Sequence, residues 1–250
     1  MSKREEIRNR RQKQKARNRL LVILLVGVGA LLIVLALVIP LINKTNASTS
    51  SNIQITPIAT RSFTTTVDGL HIGDPNAKVK MDVWEDFQCS GCLAYTQDFE
   101  QQVLNTFVDT GHVLYTFHFF PFIDGGSAGG ESHLAANAAM CANAQGKFWQ
   151  YHDVLFANWL GENAGSFTDA RLTAFAQYLG LDMTAFKQCY SAKTYASQIE
   201  QDYQAGAKLG VPPTPGIFVN GKMVTNSTNS NLIPSFDDIS KAINAALAGN

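Results

Sequence analysis

One stretch limits what this chain can become. Val79 to Phe87 is an apolar run in which Val79, Met81 and Val83 alternate, and it leads into Cys89-Ser90-Gly91-Cys92. Such alternation reads as a half-buried or buried strand. After Cys92 the period changes: Phe99, Val103 and Phe107 recur four apart, with Leu104 and Val108 beside them, until Gly111. That is the pattern of a helix and its stop. The two cysteines therefore sit where a strand hands over to a helix N-terminus. Val113 to Phe120, rich in aromatic and branched residues and closed by Pro121, predicts a second strand. Strand, helix, strand is the unit of a parallel pair joined by a crossover helix.

Downstream, Gly125 to Gly130 reads as a hinge; it lacks the Gly-Lys-Ser/Thr of a phosphate cradle. Helical patterns then follow over 131–145, 147–160, 168–179, 184–192 and 194–209, punctuated by Gly146, Gly161, Gly165, Gly180 and Gly210. Pro212-Pro213-Thr214-Pro215-Gly216 precedes the apolar Ile217-Phe218-Val219, and Asn220-Gly221 is a strong hairpin signal. A last helix is predicted after Ser235, a cap residue with acids in the following turn and Ile239, Ile243 and Leu247 on one face. The expected class is α/β, with a helical insertion at about 125–209. No internal repeat is visible.

The N-terminal end has another character. Residues 1–19 hold nine Lys or Arg and two Glu, and residues 20–42 hold no charge at all. The net charge of zero hides this asymmetry, since eleven basic and eighteen acidic residues remain for the rest. Twenty-three uncharged residues can span a bilayer core of about 30 Å. They exceed the about 7–15 apolar residues of a cleaved signal, for which only a weak exit at Thr45-Asn46-Ala47 exists. The reading is a cytoplasmic basic tail (1–19), a transmembrane anchor (20–42), a Ser/Thr/Asn/Gln-rich linker (43–62) and an extracytoplasmic domain (63–250), oriented by the positive charges. The basic run acts as a topology signal, with no nucleic-acid partner expected. No cysteine directly follows the apolar run to carry a lipid anchor.

All four cysteines fall on the outer side, where disulfides persist. A Cys-x-x-Cys pair suits zinc, a structural bridge or thiol–disulfide exchange. Zinc wants four ligands, and no second pair or clustered His accompanies this one, so no metal and no cofactor is expected. A loop this short constrains the unfolded chain little. Exchange is the reading that requires the spacing: Cys89 at the helix start has its anion favoured by free N–H groups, and Cys92, one turn on, can resolve a mixed disulfide. A cis bond at Thr214-Pro215 facing the pair would offer the Thr214 backbone to an extended substrate. Cys141 and Cys189 lie on different helices of the insertion; they read as two buried thiols or as a disulfide worth about 4 kcal/mol. Among the nearby acids Asp82, Glu85 and Asp86, Glu85 is a candidate proton acceptor for the resolving thiol, and Asp86 a polar strand end. His118 reads as structural.

Five landmarks then coincide in order: Gly73-Asp74-Pro75-Asn76, Glu85 to Cys92, Gly146-Lys147-Phe148-Trp149, Thr214-Pro215 and Phe218-Val219-Asn220-Gly221. Over about residues 63–248 the chain resembles the DsbA-like thioredoxin-fold oxidoreductases, of which membrane-anchored members occur in bacteria. The resemblance implies a thioredoxin fold with a helical insertion, Cys89 as nucleophile, Cys92 as resolving thiol and Pro215 as the cis proline opposite them. It also implies that Cys141 and Cys189 form a structural pair. Two departures stand out: Ser90-Gly91 replaces the Pro and aromatic or His residue that many members carry, and Pro213 stands where Gly is common. The expected function is an extracytoplasmic enzyme that introduces disulfides into exported unfolded or reduced proteins. A membrane quinone-linked thiol oxidase, DsbB-like or vitamin K epoxide reductase-like, would reoxidise it. Reduction or isomerisation by the same dithiol, a non-catalytic membrane-tethered binding module and a metallochaperone are the alternatives.

Overall fold

A computed structural model describes residues 53–59, 61, 63–125, 127, 129–229 and 233–249 of the chain. The expected basic tail, the anchor at 20–42 and the start of the linker lie outside the described residues. Among those described, no helix is long and apolar enough to cross a membrane.

The sheet begins with a short hairpin, Val67–Asp68 (β1) and His71–Ile72 (β2), that two-residue strands gave no periodicity to foresee. Next comes Val79–Glu85 (β3). Its alternation works as expected: Val79, Met81, Val83 and Glu85 are buried on one face. The helix that follows (α1) runs through Ser90–Tyr95, widens to π-type turns at Thr96–Glu100, tightens at Gln101–Val103 and widens again at Leu104–Val108. A π turn shifts the helical repeat by about one residue. Glu100, rather than the expected Phe99, is the fully buried side chain at that level.

Val113–Phe119 (β4) then lies parallel to β3, from Val79 opposite Val113 to Glu85 opposite Phe119. The helical insertion comprises Glu131–Asn143 (α2), Phe148–Ala157 (α3), Asp169–Tyr178 (α4), Met183–Ser191 (α5) and Ala196–Leu209 (α6). Thr168 and Asp182 cap α4 and α5 through their side chains. The chain returns to the sheet as Gly216–Val219 (β5), antiparallel to β3, and Lys222–Met223 (β6). Asn220 and Gly221, both at positive φ, make the turn between them. Phe236–Ala248 (α7) closes the domain, its start fixed by a reciprocal Ser235–Asp238 capping box. The strand order is β1-β2-β4-β3-β5-β6, with β3 and β4 at the centre.

The main core lies on the Val79/Met81/Val83 face, where α1, α7 and the insertion helices meet. Tyr95, Tyr115, Phe117, Phe148 and Trp149 are buried there, each contributing about 1.5–3 kcal/mol. On the opposite face Trp84, Phe120 and Phe218 form a smaller cluster. Gly206 of α6 lets the backbone close over it, because a Cβ there would sit 2.7 Å from Trp84.

The end of the expected linker joins the domain. Ile55 and Ile58 pack on the core, Thr56 exchanges two hydrogen bonds with the Asn158 side chain, and Arg61 enters the interior. A polar composition concealed two isoleucines and one buried arginine.

Candidate active site

The dithiol forms because β3 ends and turns. Asp86 caps that turn, accepting from the Gln88 and Ile123 backbone N–H groups and from Cys89 N through its own carbonyl. Its burial pushes the carboxyl up to about 6. Asp86 thus holds the loop rather than the chemistry. Cys89 is the N-cap of α1 in extended conformation, and its carbonyl accepts from Leu93 N. Cys92 lies a turn later, fully buried.

The two sulfurs differ electrically. A hydrogen bond from Cys92, the hydrogen bond with Thr214 and the backbone N–H groups of Cys92 and Gly91 together outweigh burial and lower the Cys89 thiol to about 6. Burial, then the Cys89 hydrogen bond and charge, push Cys92 well above the usual thiol range. The two thiols are thereby set apart by environment alone.

Thr214-Pro215 is cis and faces the pair. The Cys89 thiol donates to Thr214 O at 3.1 Å. A Cβ on Gly91 would meet that same carbonyl at 3.0 Å and Pro215 Cδ at 3.3 Å. Only a glycine leaves this approach uncrowded. A groove of about 560 Å³ opens here, with Cys89, Gly91, Phe122, Pro213, Pro215 and Met223 among its walls.

A thioredoxin family model matches residues 65–245. The chain belongs to the thioredoxin family. Disulfide bond formation protein D of Bacillus subtilis is 26% identical over 181 residues, covering 71% of this chain and 77% of that protein. A segment of the Na(+)/H(+) antiporter NhaA 1 of Salinispora arenicola is 29% identical over 180 residues, 72% of this chain but 25% of the antiporter. The chain thus matches about a quarter of the antiporter's length. The crystal structure of oxidised BdbD from Bacillus subtilis superposes with a TM-score of 0.63 at 25% identity, over 73% of this chain and 94% of that one. Within the thioredoxin family, these landmarks and relatives are those of the DsbA-like thiol:disulfide oxidoreductases.

Beneath the dithiol the thioredoxin domain buries an unusual set of charges. Glu85 is fully buried and both its carboxyl oxygens lack a hydrogen-bond partner. Burial first, then the charges of Glu100 and Cys89, raise it well above the usual carboxyl range. Glu100 accepts from Arg61 at 2.8 Å and from Tyr115 OH at 3.2 Å. His152 Nε2 lies 4.0 Å from Glu100, and its Nδ1 meets Asp153 at 3.0 Å. Glu85, Glu100 and His152 bring their ligand-type atoms within 4.8 Å of one another, a constellation that could hold a cation. Arg61 already supplies a positive charge to Glu100 there.

Sequence reasoning missed Arg61, Glu100, His152 and Gln88. Gln88 is a hub: its side chain donates to Asp124 and Ser132 and accepts from Asn163 N, and its carbonyl accepts from Trp159. Glu100 left a trace, since it precedes Val103, Leu104 and Phe107 at core spacing. His118 lies on the other face of the sheet, stacked on Trp84 at 4.2 Å and held between Asp82 and Asp202. Cys141 of α2 and Cys189 of α5 are joined, with Cα atoms 5.8 Å apart.

Proposed function

We propose that the chain is an extracytoplasmic protein thiol:disulfide oxidoreductase that introduces disulfides into exported unfolded or reduced proteins through Cys89–Cys92. The observation that carries this is Cys89 itself: a thiol at a helix N-terminus, held at about 6, against the Thr214 carbonyl and the groove. A stabilised thiolate favours the reduced form, so the disulfide form readily accepts electrons.

In the forward direction a substrate thiolate attacks Cys89 Sγ. A substrate–Cys89 bond forms, the Cys89–Cys92 bond breaks, and Cys92 leaves as a thiolate that takes a proton. A second substrate thiolate then attacks the substrate sulfur and releases Cys89 as its stabilised anion. The substrate is oxidised to a disulfide and the enzyme is reduced to a dithiol. On reoxidation Cys92 must lose its proton, and Glu85 is the acceptor. Thr214 and Pro215 present backbone to an extended substrate, and Cys141–Cys189 is a structural disulfide that ties α2 to α5. The segment 20–42 anchors the chain in the bilayer as a single pass with its N-terminus cytoplasmic, which places the dithiol beside a membrane quinone-linked thiol oxidase, DsbB-like or vitamin K epoxide reductase-like.

The test is oxidation of a reduced, unfolded protein by the oxidised full chain in detergent. Turnover well above that of Cys89→Ser is expected; equal rates would overturn the reading.

A further inference from the structure

We infer that Glu85 exchanges its proton with solvent through Glu100, His152 and Asp153, along a path that leaves the domain at a cleft distinct from the substrate groove. This rests on the dithiol chemistry proposed above and supplies what it lacks. Each cycle puts one proton on Cys92 and later removes it. Cys92 and Glu85 are both sealed from solvent, so the proton must cross the interior.

The path is laid out in named groups. Glu85 acts on Cys92 through its charge, which helps to raise that buried thiol. Its two oxygens and His152 Nε2 are fully buried without partners, a costly state for polar atoms unless they are used. Glu85, Glu100 and His152 lie within 4.8 Å of one another, gaps that one side-chain rotation or one bridging water closes. His152 Nδ1 then contacts Asp153 Oδ1 at 3.0 Å. Asp153 and Arg61 are partly exposed and line a cleft of about 640 Å³ whose walls contain neither cysteine.

The surrounding charges suit transfer in either direction. Arg61, at the end of the expected linker, faces Glu100 and Asp153; Tyr95 of α1 and Tyr115 of β4 face the two glutamates. The step moves only a proton: Glu85 carboxylic acid gives it to the Cys92 thiolate, and the carboxylate is recharged from the cleft through Asp153, His152 and Glu100. Reoxidation runs the same path outward. The π turn at Thr96–Glu100 is the backbone device that brings Glu100 inward, in keeping with the frequent placement of such turns at functional sites.

The experiment mixes the oxidised full chain with dithiothreitol in weakly buffered solution. Bond exchange is followed by acid quench and the proton balance by an indicator dye at neutral pH: each exchange frees two protons from the dithiothreitol thiols and Cys92 takes one back, so uptake is read as the shortfall from two protons released. In the wild type, uptake keeps pace with exchange. In His152→Ala, uptake should lag about tenfold, and added imidazole should restore it by occupying the space left and carrying the proton; an uncharged cosolute should not. Asp153→Asn, at the cleft and able to keep its bond to Arg61, should lag as well and guards against a folding defect in the buried variant. Uptake in step with exchange in both variants would overturn the path. Absence of exchange in the wild type would instead overturn the oxidoreductase reading.

Discussion

Cys89 and Cys92 stand three positions apart on one helix; Cys141 and Cys189 stand 48 apart on two. By loop-closure entropy the long bridge stabilises the fold by about 4 kcal/mol and the short one by about 2 kcal/mol. Their surroundings diverge in the same sense. Cys141 sits among Ala138, Ala139 and Ala142 in the packed interior of the insertion. Cys89 sits at a helix start with polar partners and a groove at its side. The difference teaches that spacing alone does not make a pair reactive. A pair becomes exchangeable when one sulfur is stabilised as an anion, the other is kept neutral, and both have a way to gain and lose a proton.

The largest expected contrast is in activity. Cys89→Ser should reduce oxidation of an unfolded substrate to the uncatalysed background. The double variant Cys141→Ser, Cys189→Ser should retain most of the rate, measured in the same assay at a temperature where it is folded. Loss of activity in the double variant while its near-UV circular dichroism is native would show that the second pair takes part in exchange.

Stability should show the reverse. Removing the Cys141–Cys189 bridge should cost about 4 kcal/mol in denaturant unfolding. Reducing Cys89–Cys92 in the wild type should cost much less, because the thiolate gained on reduction offsets part of the lost constraint. A fall of equal size for both pairs would break the comparison.

The pH dependence sharpens it further. Cys89 has a folded-state value near 6, below its ordinary thiol range. A depressed group contributes stability above its unfolded value and loses it as pH falls through the folded one. The stability gap between the reduced wild type and Cys89→Ser should therefore widen as pH rises from 6, by about 1 kcal/mol at pH 7. Taking the difference cancels His118, which is raised to about 9, its bonds to Asp202 and Asp82 overcoming burial. Alkylation of the reduced protein should titrate with a midpoint near 6. A midpoint near 8.5 would mean that the helix start does nothing for this sulfur.

What the chain reveals before its structure is seen follows the strength of local signals. The β3–α1–β4 unit was legible because Val79, Met81 and Val83 alternate and the period then changes at Cys92. The Asn220-Gly221 turn and the Ser235 cap were legible because each rests on a few adjacent residues. β1 and β2 were not, being too short to show a period. The strap at 54–61 was hidden by its composition, since its docking rests on Ile55, Ile58 and Arg61 alone. At the site, the dithiol and Thr214-Pro215 were readable as motifs. Glu100 and His152 were not, because each lies in an apolar pattern where a polar residue looks incidental. Their meaning comes only from meeting Glu85 across three elements. Gln88 was silent for the same reason: its partners Asp124, Ser132 and Asn163 are all distant in sequence.

The smallest expected effect tests the residue that separates the two pairs most finely. Gly91 has an ordinary helical backbone, with no positive φ to demand glycine. Alanine there gains helix propensity worth up to about 1 kcal/mol, but its Cβ crowds Thr214 O, Pro215 Cδ and Ile233 Cγ2 at 3.0–3.4 Å. These two effects should nearly cancel, leaving unfolding within about 1 kcal/mol of wild type. Function should not cancel in the same way, because Gly91 and the Thr214 carbonyl share one wall of the groove. Exchange with an unfolded protein, which must lie along that wall, should slow severalfold, whereas exchange with dithiothreitol, which needs only the Cys89 sulfur, should change little. Equal slowing of both would assign Gly91 to the sulfur itself rather than to access. No slowing of either would mean that the proline loop yields, and that the close approach seen at Gly91 sets no limit on the substrate.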